Sequence, residues 1–441
     1  MYPNLTHEGR KMNNNSDRSS INLNVRGILP SATLRINELS NKLKSEGKEI
    51  FKLGLGQSPF PVPEVVVESL RQHAHEKDYL PVMGLMALRQ SIAEYMSRVQ
   101  HISRRAEDII IGPGSKELLF IMQMAYYGDL LIPRPSWVSY APQARLLGRS
   151  VYWLPTGPEN NWQLTADELD LVCRDDPTRP RILILNYPSN PTGCTYTDDQ
   201  LLELAYVARK YNIVLLSDEI YGETRYDGEH KSIARYYPEG TIISTGLSKW
   251  CGAGGWRLGA FIFPQELKPL QEAMAIIASE TFTATSAPIQ YAAIRAFQGG
   301  EEIDNYLATS RRVLAALGEF IYTKLSQMQV KLNRPEGGFY VFPDFDHYRQ
   351  DLAKHNILTS ASLCNRLLED TGIAMLPASD FGFTPDTLIS RIAFVDFDGQ
   401  AAIQAADSIG NDTPLDESFI IENCPKIATA LTKMEAWFKG L

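Results

Sequence analysis

Cysteine is scarce in this chain and offers no pairing pattern. Five occur among 441 residues, Cys173, Cys194, Cys251, Cys364 and Cys424, with no CxxC spacing. An odd, scattered set excludes a disulfide framework or a thiolate zinc site and fits the reduced thiols of a cytoplasmic protein. The seven histidines are no better as ligands: His73 and His75 are the one close pair, and two residues apart on a helix they point to different faces. Positive charge is in deficit, with 43 Lys and Arg against 52 Asp and Glu and a net charge of −9, which argues against a nucleic-acid-binding face. No run of eighteen apolar residues occurs, so no membrane span is expected. The start, "MYPNLTHEGRKMNNNSDRSS", has no apolar segment; the expectation is a disordered tail over 1–23, not a secretory signal. Two nucleotide signatures are missing as well. "GPGSKELLF" lacks the GxxxxGK[ST] spacing, and in "GAGGWRLG" Arg257 stands where GxGxxG requires its third glycine.

What is present is a soluble composition, 44% hydrophobic and 22% charged, in a chain long enough for two domains. Between about residues 105 and 265 short apolar runs end in polar residues and lead into helical patterns. "DIIIGPGSKELLFIMQMAYYG", "DLLIPRPSWVSY" and "RILILNYPSNPTG" are such cases, followed by "NIVLLSDEIYGE" and "TIISTGLSK". This alternation predicts an α/β fold with a mostly parallel sheet sandwiched by helices. The expected division is a large domain over 71–304 and a smaller α+β domain formed by 24–70 together with 305–441.

Ligands of such sheets bind beyond the carboxyl ends of the strands. Gly114-Ser115-Lys116, Asn186 to Asn190, Asp218 to Tyr221 and Ser248-Lys249 all fall at those ends and are expected to share one crevice. Lys249 sits in "SKWCGAGGWRLGA", an amine with little bulk around it; burial beside other cations would lower its pKa and make it a nucleophile. Asp218, carried to a strand end by "NIVLLS", needs a cationic partner, which a protonated pyridine nitrogen would supply; it is equally a helix N-cap candidate. Tyr221 and Asn190 are placed to hydrogen-bond a phenolate oxygen, although "NPTG" also reads as a tight turn. Small residues opening the helix after Gly114, together with the Arg257 fork, suit a phosphate. Trp137 is either a ring-stacker or a core tryptophan. Together these groups meet the requirements of one cofactor, pyridoxal 5′-phosphate.

With "NYPSNPTG", "SDEIY", "SKxxxxxGWRLG" and "YLPVMGLMALRQSI" in view, the chain resembles the class I/II pyridoxal-phosphate aminotransferases of fold type I, particularly the bacterial-type aspartate aminotransferase branch. The likeness runs from about Arg26 to beyond Arg391. The resemblance implies that Lys249 is tied covalently to the cofactor and then moves the proton, and that Asp218 pairs with the ring nitrogen. It also implies that Asn190 and Tyr221 contact the ring's 3-oxygen and that Trp137 stacks on its face. Gly114, Ser115, Ser248 and Arg257 would hold the phosphate, and Tyr79 would reach the phosphate of a neighbouring subunit in a homodimer. Arg391 would clamp the substrate α-carboxylate near the Gly56 backbone, and Lys116 would face the distal carboxylate of aspartate or glutamate. The chain departs from the family at Gly246, where many relatives carry a phosphate-binding hydroxyl, so that Ser248 or Ser244 must substitute. It departs again at Gln57-Ser58, where Glu-Pro is usual, and after Arg391, where "RIAFVDFDG" differs. The expected activity is ping-pong amino transfer between an L-amino acid and a 2-oxo acid. Alternatives are a transaminase for aromatic or neutral amino acids, a lyase on the same scaffold, and a non-enzymatic ligand sensor; no metal, membrane or nucleic-acid partner is expected.

Overall fold

The computed structural model describes residues 21–28, 30–410 and 412–441, so the expected tail falls almost wholly outside the described residues. A seven-stranded sheet forms the larger lobe. Its strands follow β1 (Phe51–Lys52) of the smaller lobe: β2 (Ile109–Gly112), β3 (Asp129–Arg134), β4 (Val151–Pro155), β5 (Arg181–Asn186), β6 (Val214–Asp218), β7 (Thr241–Gly246) and β8 (Gly259–Ile262). Across the sheet the order is β2-β8-β7-β6-β5-β3-β4, parallel throughout except for β8, which runs antiparallel to both of its neighbours.

Apart from the edge strand β4, both faces of the sheet are buried, which is why these strands are rich in apolar residues. Alternate residues of one strand serve opposite layers. Leu183 and Leu185 pack with Leu201 and Leu204 of the helix Asp198–Lys210, while Ile182 and Ile184 pack with Leu118 and Met122 of the helix Ser115–Ala125. The start of Asp198–Lys210 is fixed by reciprocal capping: Thr197 accepts from the Gln200 N–H, and the Gln200 side chain accepts from the Thr197 N–H at 2.9 Å. All five cysteines are free and buried. Among the described residues no helix is long and apolar enough to cross a membrane, and no group of three or more His, Cys, Asp or Glu is placed to hold a metal.

The smaller lobe is built on β9 (Tyr340–Val341), β10 (Ile373–Ala374), β11 (Leu376–Pro377) and β12 (Ser390–Ala393). β1 pairs in parallel with β10, tying the segment at 51–52 to the C-terminal part, and β11-β12-β9 form an antiparallel sheet. The helix Glu64–His73, most of which the sequence reading gave to this lobe, instead places Val66 in the larger lobe's core beside Leu88, Ile92 and Ile109. The helix Glu301–Gln327 serves both lobes. Its Ile303 and Leu307 join that same core, whereas Val313, Leu317 and Ile321 join Tyr340, Ile392 and Phe438 in the other.

Candidate active site

β5 and β6 end level with one another, at Asn186 and Asp218, while β7 runs two residues further, to Gly246. Asn186 is in register with Asp218, and Asp218 with Ser244, so the three side chains stand in a row on one face. Asp218 is 3% exposed, and each of its carboxylate oxygens has a hydroxyl partner: Oδ1 accepts from Ser244 Oγ at 3.1 Å and Oδ2 from the Tyr140 hydroxyl at 2.5 Å. Burial raises its pKa above the usual carboxylate value, and the two hydroxyls, with the Ile220 backbone N–H, pull against that rise. Asn186 donates to the Asp218 carbonyl at 2.8 Å and accepts from the Asn190 N–H at 2.8 Å, which locks the turn after β5 onto β6.

Beside this row opens a cleft of about 550 Å³ between the lobes. Lys249 is half-buried in its wall and donates to the Gly56 carbonyl at 2.6 Å. Burial, with Arg391 as the next cause and Arg257 and Lys116 contributing, brings its pKa down to about 7, against a smaller opposing pull from Asp218. The amine is therefore partly neutral at physiological pH, the form that attacks a carbonyl.

A second feature is the start of the helix Ser115–Ala125, where no side chain caps the first N–H groups. Close backbone approach builds this corner. A Cβ on Gly259 would meet the Ser115 nitrogen at 2.3 Å, and one on Gly246 would meet the Leu258 carbonyl oxygen at 2.7 Å. Gly114, at φ +89°, leaves space for the Arg257 guanidinium, which donates to the Gly254 carbonyl at 2.9 Å and the Pro113 carbonyl at 3.3 Å. Ser248 and Ser115 line the same corner. Ser244 does not: it is 0% exposed and its hydroxyl serves Asp218, so of the two serines expected to replace the hydroxyl missing at Gly246 only Ser248 faces the cleft.

Opposite, Arg391 is 1% exposed, with Nη1 donating to Asn190 Oδ1 at 3.2 Å, Nη2 to the Gly54 carbonyl, and Nε without a partner. It lies 4.8 Å from the Tyr340 ring centre and 5.3 Å from that of Phe381. The Tyr221 and Tyr340 hydroxyls are 2.7 Å apart, and Gly56 admits this pair, since a Cβ there would fall 1.9 Å from the Tyr340 oxygen. Trp137 lines the cleft with Lys116 Nζ 5.2 Å from its ring centre; desolvation, with Arg257 next, lowers the Lys116 pKa. Tyr79 stands apart, 94% exposed and outside the cleft. Asn186, expected in the crevice as part of the cluster after β5, lines the cleft, whereas Tyr140, Tyr340, Thr33 and Leu34 line it without having been singled out from sequence. Tyr140 ends the stretch "DLLIPRPSWVSY", but nothing in spacing tells which tyrosine turns inward.

An amine poised to attack a carbonyl, beside groups suited to anions, fits a transferase, and comparison identifies the class. The aminotransferase class I and II family pattern matches residues 48–398, and the chain belongs to that family. Its relatives include the aspartate aminotransferase of Bacillus sp. strain YM-2, 32% identical over 381 residues, 84% of this chain and 93% of that protein. The aspartate/prephenate aminotransferase of Thermus thermophilus is 31% identical over 362 residues, 81% of this chain and 90% of that protein. The structure of the Thermus thermophilus aspartate aminotransferase with maleate superposes with a TM-score of 0.81 at 27% identity, covering 95% of this chain and 99% of that one.

The protein is thus an aminotransferase, and membership of the family implies pyridoxal phosphate. The donor set suits that group. An uncapped helix start and a guanidinium suit the phosphate, a buried carboxylate suits the ring nitrogen, and an amine with a pKa of about 7 suits the aldehyde.

Proposed function

We propose that the cleft holds pyridoxal 5′-phosphate and transfers amino groups between dicarboxylic L-amino acids, aspartate or glutamate, and 2-oxo acids by a ping-pong mechanism. The observation that carries this reading is the charge of the cleft: Lys116, Lys249, Arg257 and Arg391 line it against the single carboxylate of Asp218. Such a surplus calls for more than one anion.

When bound, the cofactor supplies the electron sink for bond breaking at the amino acid's α-carbon. The roles we assign to the protein's own residues are these. The helix start and Arg257 would hold the phosphate, and Asp218 would pair with the ring nitrogen and keep it protonated. Asn190 and Tyr221 would contact the ring oxygen, and Trp137 would cover the ring face. Arg391 would receive the α-carboxylate with its fork and so orient the amino acid toward Lys249. Lys249 Nζ would be both the attachment point and the group that carries the α-proton. Lys116 would meet the distal carboxylate. Tyr79, outside the cleft of its own chain, would serve the phosphate site of a second copy in a homodimer.

The test is the visible spectrum of the purified, cofactor-loaded protein. Aspartate or glutamate alone should bleach the absorption band, and 2-oxoglutarate or oxaloacetate should restore it. Bleaching with alanine or phenylalanine but not with aspartate would overturn the acidic-substrate assignment. A lyase would release free ammonia and a 2-oxo acid without needing a second substrate.

A further inference from the structure

The side chains that donate to the Asp218 carboxylate are neutral hydroxyls, not a cation, and they come from two different elements; the Ile220 backbone N–H adds a weaker contribution. Ser244 is its cross-strand neighbour on β7, in register at the strand ends, so its place is set by the sheet. Tyr140 is the first residue of the helix Tyr140–Leu146 and is 1% exposed, its ring held edge-on to Trp137 at 5.3 Å within the apolar layer. Its hydroxyl is the shorter contact, 2.5 Å from Oδ2. A tyrosine ring could fill this apolar space as phenylalanine; what the hydroxyl adds is a hydrogen bond to one carboxylate.

We propose that Tyr140, assisted by Ser244, keeps the Asp218 carboxylate ionised and fixes its orientation toward the ring nitrogen of the bound cofactor, so that Tyr140 is a positioning residue for amino transfer. The proposal rests on the reading of the cleft as a pyridoxal-phosphate site. A carboxylate buried in an apolar layer tends to take up a proton, and a protonated Asp218 would no longer pair with a pyridinium. Donors to the ionised form oppose this, and the nearer donor contributes more. The other charged or titratable groups acting on Asp218 are Glu219, which favours protonation, and Lys249, which favours ionisation, with the buried Tyr221 phenol nearby. None of these is within hydrogen-bonding range of its carboxylate oxygens in the way that the two hydroxyls are.

The experiment is carbon-13 NMR of aspartate-labelled full-length protein over a pH series, with Asp218 assigned by Asp218→Asn. In cofactor-free protein, Tyr140→Phe should raise the Asp218 midpoint by about one to two pH units, Ser244→Ala by less, and the double variant by the most. In the loaded enzyme, nitrogen-15 in the cofactor ring should shift toward the neutral-pyridine position in Tyr140→Phe, because the proton moves to the carboxylate. An unchanged midpoint and ring signal in Tyr140→Phe and in the double variant, with native circular dichroism, would overturn the proposal. Failure of the wild type to take up cofactor would remove the underlying reading of the cleft, and the carboxyl titration would still decide whether the two hydroxyls control Asp218.

Discussion

Two sets of polar groups in the cleft are built on opposite principles. Around the carboxyl ends of β5 to β7, Asn186, Asp218, Ser244 and Tyr140 meet one another at 2.5 to 3.1 Å. The cations that line the same cleft are held differently: Lys249 and Arg391 meet carbonyls, an amide and aromatic rings, and Lys116 lies over an indole. The first set is hydrogen-bonded on folding and supplies orientation. The second, the cation wall, carries charge with no carboxylate in contact, which costs stability in the free protein and returns as affinity when anions arrive.

The sharpest way to break this contrast is Lys249→Met. It should lower kcat by at least about ten-thousand-fold, since it removes both the attachment point and the proton carrier. The same change should raise the melting temperature of the cofactor-free protein at pH 7 by about 2 °C or more, because a desolvated cation beside Arg391 is gone. A lower melting temperature would show that the cation wall is not under strain.

Arg391→Lys comes next. The ammonium keeps the charge but loses the fork, so KM for amino acid and oxo acid together should rise by roughly ten- to a hundred-fold, measured in initial-rate assays. Lys116→Ala should be more selective, raising KM for aspartate by about tenfold while leaving neutral amino acids unchanged. Equal KM for aspartate in variant and wild type would remove Lys116 from substrate recognition.

The smallest effect concerns pH. The Lys249 amine is neutral above its midpoint of about 7 and protonated below it. Uptake of pyridoxal phosphate by the cofactor-free protein should therefore be slow at pH 6, climb through about pH 7 and level off above it, long before an ordinary lysine would titrate. A rate still climbing at pH 9 would mean that burial and the neighbouring cations do not lower the pKa of this amine. Burial of Lys249 also has a sign in stability. Its folded pKa lies below that of the unfolded chain, so its cost to folding grows as pH falls toward about 7 and is constant below.

Much of the sheet was readable in the sequence because β2, β3, β5, β6 and β7 are continuous apolar runs that end in polar clusters. β4 and β8 were not. "VYWLP" lies at the sheet edge with its tyrosine and tryptophan largely exposed, so it lacks a buried-strand pattern. β8 is four residues directly behind a glycine-rich loop and is the one antiparallel member. The site residues at strand ends were legible for a physical reason: such sheets direct ligands there. Tyr140 and Tyr340 were not, because each enters from a separate element and is placed by packing that one sequence does not display. The division between lobes was blurred for a similar reason, since Glu301–Gln327 contributes to two cores without a break.

The glycines at 114, 246 and 259 also limit how this corner can change. A hydroxyl-bearing residue at Gly246 would run into the Leu258 carbonyl and the Gly259 Cα at 3.1 Å; a side chain at Gly259 would in turn run into the helix start at Ser115. No single substitution restores the hydroxyl without moving a neighbouring strand, so mutational paths through this corner must change several positions together. Directed evolution of tighter cofactor retention should accordingly accumulate changes around Ser248 and leave the glycines fixed.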